Sequence, residues 1–354
     1  MRFLLLLAAV PQLALAAAVI RIDDSRSLSL AVAFRSSVGG TNVPSPVDGA
    51  SRALELSLDG AVLAIGGELH KQLRLQINAL RLPTTGAITV ADAIVMVDVT
   101  PFLQIWAGRM LPPLDRALLT GPFFGVLYDP PFVSAYPALV AGGRDDGLSV
   151  WGTVLEGRLK YQAGGYRGRP NVAGFPMFAG RVSWSFLDPE PGFYASGTYL
   201  GARKTLSVAV HGRYQRDGVG IKLSDNTLVT GRYLGFGADA LAERDLGPVL
   251  GTAEVGFGHY DAAGLGDPAA FDGNGAYIAL AGMWMNPLWV GRLQLGARYQ
   301  WQSPAGRPSR AKLDGVLNYF IAGQSIRLVG IATREFPPAG PHIYTARFGI
   351  QLVL

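Results

Sequence analysis

The chain of 354 residues contains no cysteine, only four histidines and few charged residues for its length. Without cysteine, neither disulfide bonds nor thiolate-bound metals can hold the fold together. The histidines, at positions 70, 211, 259 and 342, are too far apart in the sequence to form a metal-binding motif. Charged residues make up 16% of the chain and the net charge is +5, which is too small an excess to indicate a nucleic-acid-binding protein.

Long hydrophobic runs are also missing. After residue 20, no apolar run reaches the roughly 18 residues that a membrane helix needs. The nearest one, residues 276–285, is followed directly by Asn286-Pro287. The mean hydropathy is nevertheless positive, and glycine is abundant, with 46 residues. A hydrophobic chain without helical spans favours a protein that crosses a membrane with strands.

The chain also lacks the usual enzyme motifs. It has no G-x-S-x-G nucleophile elbow, no H-E-x-x-H zinc motif and no G-K-[ST] phosphate loop. We therefore expect no catalytic residues, no cofactor and no metal site.

The first residues have the pattern of a secretory signal peptide. Arg2 precedes the apolar stretch 3–10, and Ala14-Leu15-Ala16 is a small-x-small cleavage signal. Cleavage after Ala16 or Ala18 would make residues 1–18 the signal peptide and residues 19–354 the mature, exported domain. The alternative is an uncleaved anchor helix, which the short apolar stretch and Pro11 disfavour.

Residues 289–301 show the alternation that is repeated through the chain. Odd positions are mostly apolar or aromatic, from Trp289 through Leu293 and Leu295 to Tyr299 and Trp301, whereas even positions include arginine and glutamine. Successive side chains of a strand point to opposite faces. In a transmembrane barrel, the apolar face contacts lipid, aromatic girdles lie at both interfaces, and the polar face lines the lumen.

Similar alternation predicts an all-β transmembrane antiparallel barrel of sixteen strands. The predicted strands are 27–37, 51–60, 67–82, 91–99, 103–110, 147–155, 157–167, 178–187, 203–215, 229–242, 248–259, 275–286, 289–302, 311–321, 324–335 and 342–354. With both termini on the periplasmic side, long outward connections alternate with tight inner turns, as in bacterial barrels. The inner connection 188–202 is an exception, because it is too long for a tight turn.

The third outward connection, 111–146, is the longest and is rich in proline and aromatic residues. Long ordered loops commonly carry function. We expect this loop to fold into the lumen as a constriction; a cap over the barrel mouth is the alternative.

Basic residues outnumber acids on the predicted inner face, which favours anions in a pore. The alternation points ten basic residues inward: Arg74, Arg158, Lys160, Arg213, Arg232, Arg292, Arg298, Lys312, Arg327 and Arg347. Arg109, at the root of the third loop, and Arg116 and Arg144 within it add further positive charge. The candidate pore-lining set is Arg74, Arg109, Arg116, Arg144, Arg158, Lys160, Arg292, Arg298 and Arg347. The alternative is that these groups only pair with lumen acids such as Glu254 and Asp314.

From about residue 52 onward, the chain resembles the phosphate-selective porin O and P family. The resemblance is carried by Gly67-Glu68-Leu69-His70-Lys71-Gln72-Leu73-Arg74-Leu75-Gln76, by Ala107-Gly108-Arg109-Met110-Leu111-Pro112-Pro113, by Leu187-Asp188-Pro189-Glu190-Pro191-Gly192 and by the hairpin that begins at Leu317. It implies a sixteen-stranded trimeric channel for anions, with the third loop folded inward. The acids Asp115, Asp129, Asp145 and Asp146 in or beside that loop offset its two arginines, which favours a general anion or small-solute pore over a tight phosphate site.

The sequence therefore predicts a porin of the bacterial outer membrane, through which small hydrophilic and preferentially anionic solutes diffuse passively. Its expected partners are the lipid bilayer, lipopolysaccharide, small solutes and two further copies in a homotrimer. A barrel sheath whose lumen holds a partner, such as an electron-transfer protein, is the main alternative. An adhesin or a barrel enzyme is a weaker one.

Overall fold

The computed structural model describes residues 18–43, 54–81, 86–134, 143–169, 174–267 and 270–354. The expected signal peptide therefore lies, except for Ala18, outside the described residues. The strands are β1 (Ala18–Arg21), β2 (Ser27–Thr41), β3 (Glu55–His70), β4 (Leu73–Arg81), β5 (Ile88–Thr100), β6 (Leu103–Met110), β7 (Asp145–Val154), β8 (Leu159–Tyr166), β9 (Met177–Ser185), β10 (Thr205–Lys222), β11 (Leu228–Asp245), β12 (Val249–Asp261), β13 (Gly273–Trp284), β14 (Arg292–Pro304), β15 (Arg310–Ala322), β16 (Ile326–Phe336) and β17 (Ile343–Val353). Helix α1 (Arg116–Thr120) and a 3-10 turn (Phe132–Ser134) lie between β6 and β7.

Strands β2 to β17 form a closed antiparallel barrel. Each pairs with the next along the chain, and β17 pairs with β2 from Thr345 opposite Thr41 to Val353 opposite Ala33. The short β1 pairs with the first residues of β2. The prediction of a sixteen-stranded transmembrane barrel is therefore confirmed, and closure satisfies the backbone hydrogen bonds that a lipid environment cannot.

Alternation in β14 places its two faces as the sequence predicts. Leu295 and Tyr299 are 49% and 48% exposed on the outside, whereas Arg298 and Gln300 are 3% and 1% exposed on the inside. Apolar side chains such as Val210, Phe236, Leu280 and Phe348 are likewise exposed on the outer faces of their strands. The barrel thus carries the apolar outer surface that a bilayer requires.

Several predicted strand ends were wrong; the strand predicted to end at residue 215, for example, continues to Lys222. Strand β3 continues through 61–66 to a tight turn at Lys71-Gln72, because Gly60 lies beside a bulge rather than at a strand end. Trp289, predicted to be in a strand, lies in the β13–β14 turn with a φ of 55° and is 91% exposed. Strand β14 begins three residues later, at Arg292.

Two connections fold into the barrel. The described part of the third outward loop, 111–134, lies inside, as predicted from its length and composition. The long inner connection 186–204 also enters the lumen, and residues 192–198 within it are buried. The inward faces of most strands are therefore covered by the chain's own segments.

Candidate functional site: the barrel interior

One half of the interior is an apolar core. Inward side chains of β5 to β9 pack against the two inward segments. Trp106 stacks on Phe193 with ring centroids 4.6 Å apart, and Trp151 meets both rings edge-on. Such contacts add stability beyond the burial of apolar area. The cluster comprises Ile94, Met96, Trp106, Met110, Leu111, Leu114, Leu119, Trp151, Tyr166, Met177, Ala179, Phe193, Tyr194 and Ala195.

The other half is polar and holds the third loop by its backbone. Residues 122–129 run past the inward faces of β2 and β14 to β17, where wall side chains donate hydrogen bonds to successive loop carbonyls. Arg35 donates to Pro122 and Tyr128, Gln351 to Phe123, Arg327 to Gly125, Asn318 to Val126 and Arg298 to Asp129. These bonds satisfy carbonyls that would otherwise be buried without partners.

The two inward segments meet at Arg116, which is fully buried at the start of α1. Its guanidinium donates to both oxygens of Glu190 at 2.7 and 2.6 Å, and to the Ser196 carbonyl at 2.9 Å. Asp239 on β11 accepts from the Arg116 backbone N–H at 3.1 Å and pairs with Arg181. A buried charge is tolerated only with such partners. This network, the Arg116 junction, joins the outer loop, the inner connection and the wall.

The Glu190 carboxylate remains charged within this junction. Burial acts to raise the pKa of Glu190, but the charge and hydrogen bonds of Arg116 outweigh it and hold that pKa well below its usual range. Burial likewise acts to lower the pKa of Arg116, and Glu190 reverses the effect, so that this pKa lies above its ordinary value. Both groups are therefore ionised at neutral pH.

The inner connection is also fixed at two further points. Glu243 on β11 accepts hydrogen bonds from the Thr198 hydroxyl at 2.5 Å and from the backbone N–H groups of Tyr199 and Gly201, each at 3.1 Å. At the contact with the third loop, a Cβ at Gly197 would lie only 3.1 Å from the Cα of Gly125. Glycine at position 197 thus permits the close approach of the two segments.

Six of the nine candidate pore-lining residues lie in the interior, and five of them have carboxylate partners. Arg74 pairs with Asp98, Arg116 with Glu190, Arg144 with Asp92, Arg298 with Asp314 and Arg347 with Asp129. Lys160 is buried on β8, where its charge interacts with Glu190. Most of these residues therefore pair with lumen acids, which was the alternative interpretation of the sequence.

The other three candidates do not lie in the interior as predicted. Either their strand face or the end of their strand differs from the prediction. Arg109 alternates with the buried Trp106 and Met110, so it lies on the outer face, where it pairs with Asp146 at 2.6 Å. Arg158 is exposed in the turn before β8. Arg292 keeps the predicted inward face, opposite the buried Phe320, but it is exposed at the first position of β14. Arg232, also expected inside, is on the outer face of β11 with Asp261 as partner.

Sequence reasoning missed two interior arginines and the inner connection. Arg35 and Arg181 could have been found by alternation, because Arg35 follows Ala31 and Ala33 and Arg181 lies between Ala179 and Ser183. Only the length of the connection 186–204 indicated in the sequence that it enters the lumen.

Three buried wall arginines have no carboxylate within salt-bridge distance among the described residues. They are Arg35, Arg213 and Arg327. The Arg35 guanidinium lies 3.3 Å from the centre of the Tyr128 ring, and that of Arg213 lies 4.9 Å from the rings of Tyr233 and Tyr260. Aromatic faces stabilise such cations without cancelling their charge.

Two cavities flank the third loop, and Thr120 and Gly121 line both. One, of about 40 Å³, lies against β12 to β14 and reaches Glu254, Tyr277 and Arg298. The other, of about 70 Å³, lies against β3 to β5 and is called the β3–β5 cavity below. The loop thus divides free space within the lumen.

Neither a metal centre nor a helical span appears in the described ranges. No three histidine or carboxylate side chains there come together as metal ligands would. No helix in those ranges is long and apolar enough to cross a bilayer.

Sequence comparisons give no relative for this chain. No protein-family profile matches it, and no curated protein matches it in sequence.

Structural comparisons give clear matches. The chain is similar to the anion-selective porin from Comamonas acidovorans (14% identity, TM-score 0.62, 93% of this chain and 100% of that one). It is also similar to a loop L8 deletion mutant of OmpT, an outer membrane protein of Vibrio cholerae (12%, 0.61, 94% and 100%), and to the outer membrane channel DcaP of Acinetobacter baumannii (10%, 0.59, 95% and 99%). At these identities, the likeness establishes the fold.

The barrel's own surface agrees with that likeness. A closed barrel with exposed apolar side chains around its outside and polar and charged groups inside is built for a bilayer. The chain has the fold of outer-membrane porins, and it is a bacterial outer-membrane barrel.

Proposed function

We propose that this barrel is a porin through which small hydrophilic solutes, preferentially anions, diffuse passively across the outer membrane. The observation that carries the proposal is the polar half of the interior, where the third loop lies against a wall of arginine, asparagine and glutamine donors. Cavities of about 40 and 70 Å³ flank this loop, and the proposed pathway runs past it. The loop is then the constriction of the pathway.

The anion preference rests on Arg35, Arg213 and Arg327. They lack carboxylate partners among the described residues, whereas most other interior cations are neutralised. A narrow channel with low-dielectric walls focuses the field of such charges. This supports a general anion preference carried by three residues outside the candidate pore-lining set, of which Arg213 and Arg327 were predicted to point inward and Arg35 was missed.

Recordings from the purified full chain in planar bilayers under a KCl gradient test both parts of this proposal. A conducting channel with a reversal potential of the sign for chloride is expected. Absence of channels would refute the porin function, and a potential of the opposite sign would refute the anion preference. Because residues 67–76 and 107–113 resemble the phosphate-selective porin O and P family, phosphate is the second anion to measure.

Arg327→Met sharpens the test. It removes an interior charge that has no carboxylate partner, so the anion-to-cation permeability ratio should fall. Arg232→Met is the matched control, because it makes the same change on the outer face, where the Arg232 side chain is 62% exposed. An equal shift in both variants would show that the interior charge has no special effect.

We also propose a homotrimer. OmpT of Vibrio cholerae, one of the similar structures, has been solved in a trimer form. Cross-linking of the protein in outer-membrane vesicles should give trimers; a monomer alone would contradict this.

A lumen that holds a folded partner protein is disfavoured by the same interior. Segments 111–134 and 186–204 already cover most inward faces, which leaves no room for a second protein.

A further inference from the structure

The β3–β5 cavity is lined by residues whose polar groups lack partners among the described residues. The side-chain oxygens Oε1 of Gln76, Oδ1 of Asn78 and Oγ1 of Thr120 have no hydrogen-bond partner among the described residues. These residues are only 4%, 4% and 3% exposed, and all three line the cavity. A buried polar group without a partner costs free energy, so such groups call for a polar occupant.

The charges in the cavity cancel. Asp92 and Arg144 lie in its wall and pair with each other at 3.2 Å, while Asn78 donates from Nδ2 to Asp92 at 2.7 Å. Within the described ranges, no other charged side chain lines the cavity. The occupant is therefore uncharged. It must donate hydrogen bonds to two amide oxygens, and it must donate a hydrogen bond to a hydroxyl or accept one from it.

Water alone is a poor match for this site. Much of the lining is apolar and comes from Val62, Leu80, Phe123 and Phe124. The volume of about 70 Å³ holds roughly five or six water molecules, at about 10–15 Å³ for each. A molecule of six to eight heavy atoms with both C–H and O–H surfaces fits the lining better than a water cluster.

We propose that the β3–β5 cavity binds a small uncharged polyol of about the size of glycerol or erythritol. Its hydroxyls meet Gln76, Asn78 and Thr120, and its carbon chain packs on the phenylalanine rings. Gly121 and Pro122, at the rim, are partly exposed and give access from the lumen. The site is separate from the three arginines that carry the proposed anion preference.

The test is saturation-transfer NMR on the purified full chain in detergent micelles, titrated with glycerol and erythritol. Both polyols should bind, and inorganic phosphate should not displace them. In Thr120→Val, binding should weaken roughly three- to tenfold, as expected for one lost hydrogen bond. Thermal unfolding of that variant without ligand should occur at the same or a higher temperature, because the methyl group replaces a buried hydroxyl that has no partner among the described residues.

Thr205→Val is the matched control. Thr205 also carries a buried hydroxyl without a partner, but it lies outside the cavity, so polyol binding should be unchanged. Absence of polyol binding to the native chain would overturn the proposal. Equal binding by both variants would place the site elsewhere, and displacement by phosphate would refute an uncharged ligand. The measurement needs no current, so it is independent of the porin test.

Discussion

The two halves of the barrel interior hold the chain in different ways. Between β5 and β9, the inner connection is packed by aromatic and aliphatic side chains around Trp106 and Phe193. From β14 to β17 and in β2, the third loop is held by hydrogen bonds from wall side chains to its carbonyls. The first half resembles the core of a soluble protein. The second combines smaller apolar clusters, such as Val126 and Tyr128 against Val329, with these hydrogen bonds.

Apolar packing should carry the larger share of stability, and Trp106→Ala tests this most strongly. Removal of a fully buried indole should cost about 3–5 kcal/mol of unfolding free energy. Trp289→Ala, in an exposed turn, is the matched control and should cost little. Urea unfolding in lipid vesicles measures both. Equal losses would mean that the apolar half does not act as a core.

The Arg116 junction links the two halves of the interior. Glu190→Gln should cost about 3 kcal/mol of unfolding free energy, because it leaves Asp239 as the remaining carboxylate partner of Arg116. The folded-state pKa of Glu190 is depressed, so its contribution is present at neutral pH and is lost only as pH falls below the ordinary range for glutamate. Unfolding midpoints between pH 7 and pH 3 measure this. The native chain should lose stability toward the acid end, and Glu190→Gln should lose less. Parallel curves would exclude Glu190 as the titrating group.

The polar half should show the smallest effect. Gln351→Met removes the donor to the carbonyl of Phe123 and should cost about 1–3 kcal/mol. Because the freed loop lies beside both cavities, single-channel current should also become noisier. Gln104→Met, on the inward face of β6, is the control. A stability loss as large as that of Trp106→Ala would remove the distinction between the halves.

The barrel could be predicted from the sequence because strand alternation is local. The faces of β14 follow directly from residues 293–302. Where the interior is apolar, the same rule fails, because Trp106 and Met110 face inward and Arg109 lies on the outer face with Asp146. Because apolar residues lie on both faces of β6, this strand has no contrast between a polar and an apolar face from which the inward face could be assigned.

The interior contacts depend on residues far apart in the chain. Arg116 meets Glu190 across 74 positions, and Arg327 meets Gly125 across 202. No short pattern encodes such pairings, so the sequence could indicate positive charge in the lumen but not which cations would be neutralised. The length of 186–204 was visible, but its inward path depends on the aromatic pocket that the closed barrel forms.

The third loop crosses the line where the barrel closes. Its carbonyls are held by Arg35 on β2 and by Gln351 on β17, the two strands whose pairing completes the cylinder. These hydrogen bonds therefore reinforce the closure of the barrel from the inside, because one loop is bonded to both the first and the last strand of the cylinder. The loop acts as an internal clasp that joins the two ends of the sheet.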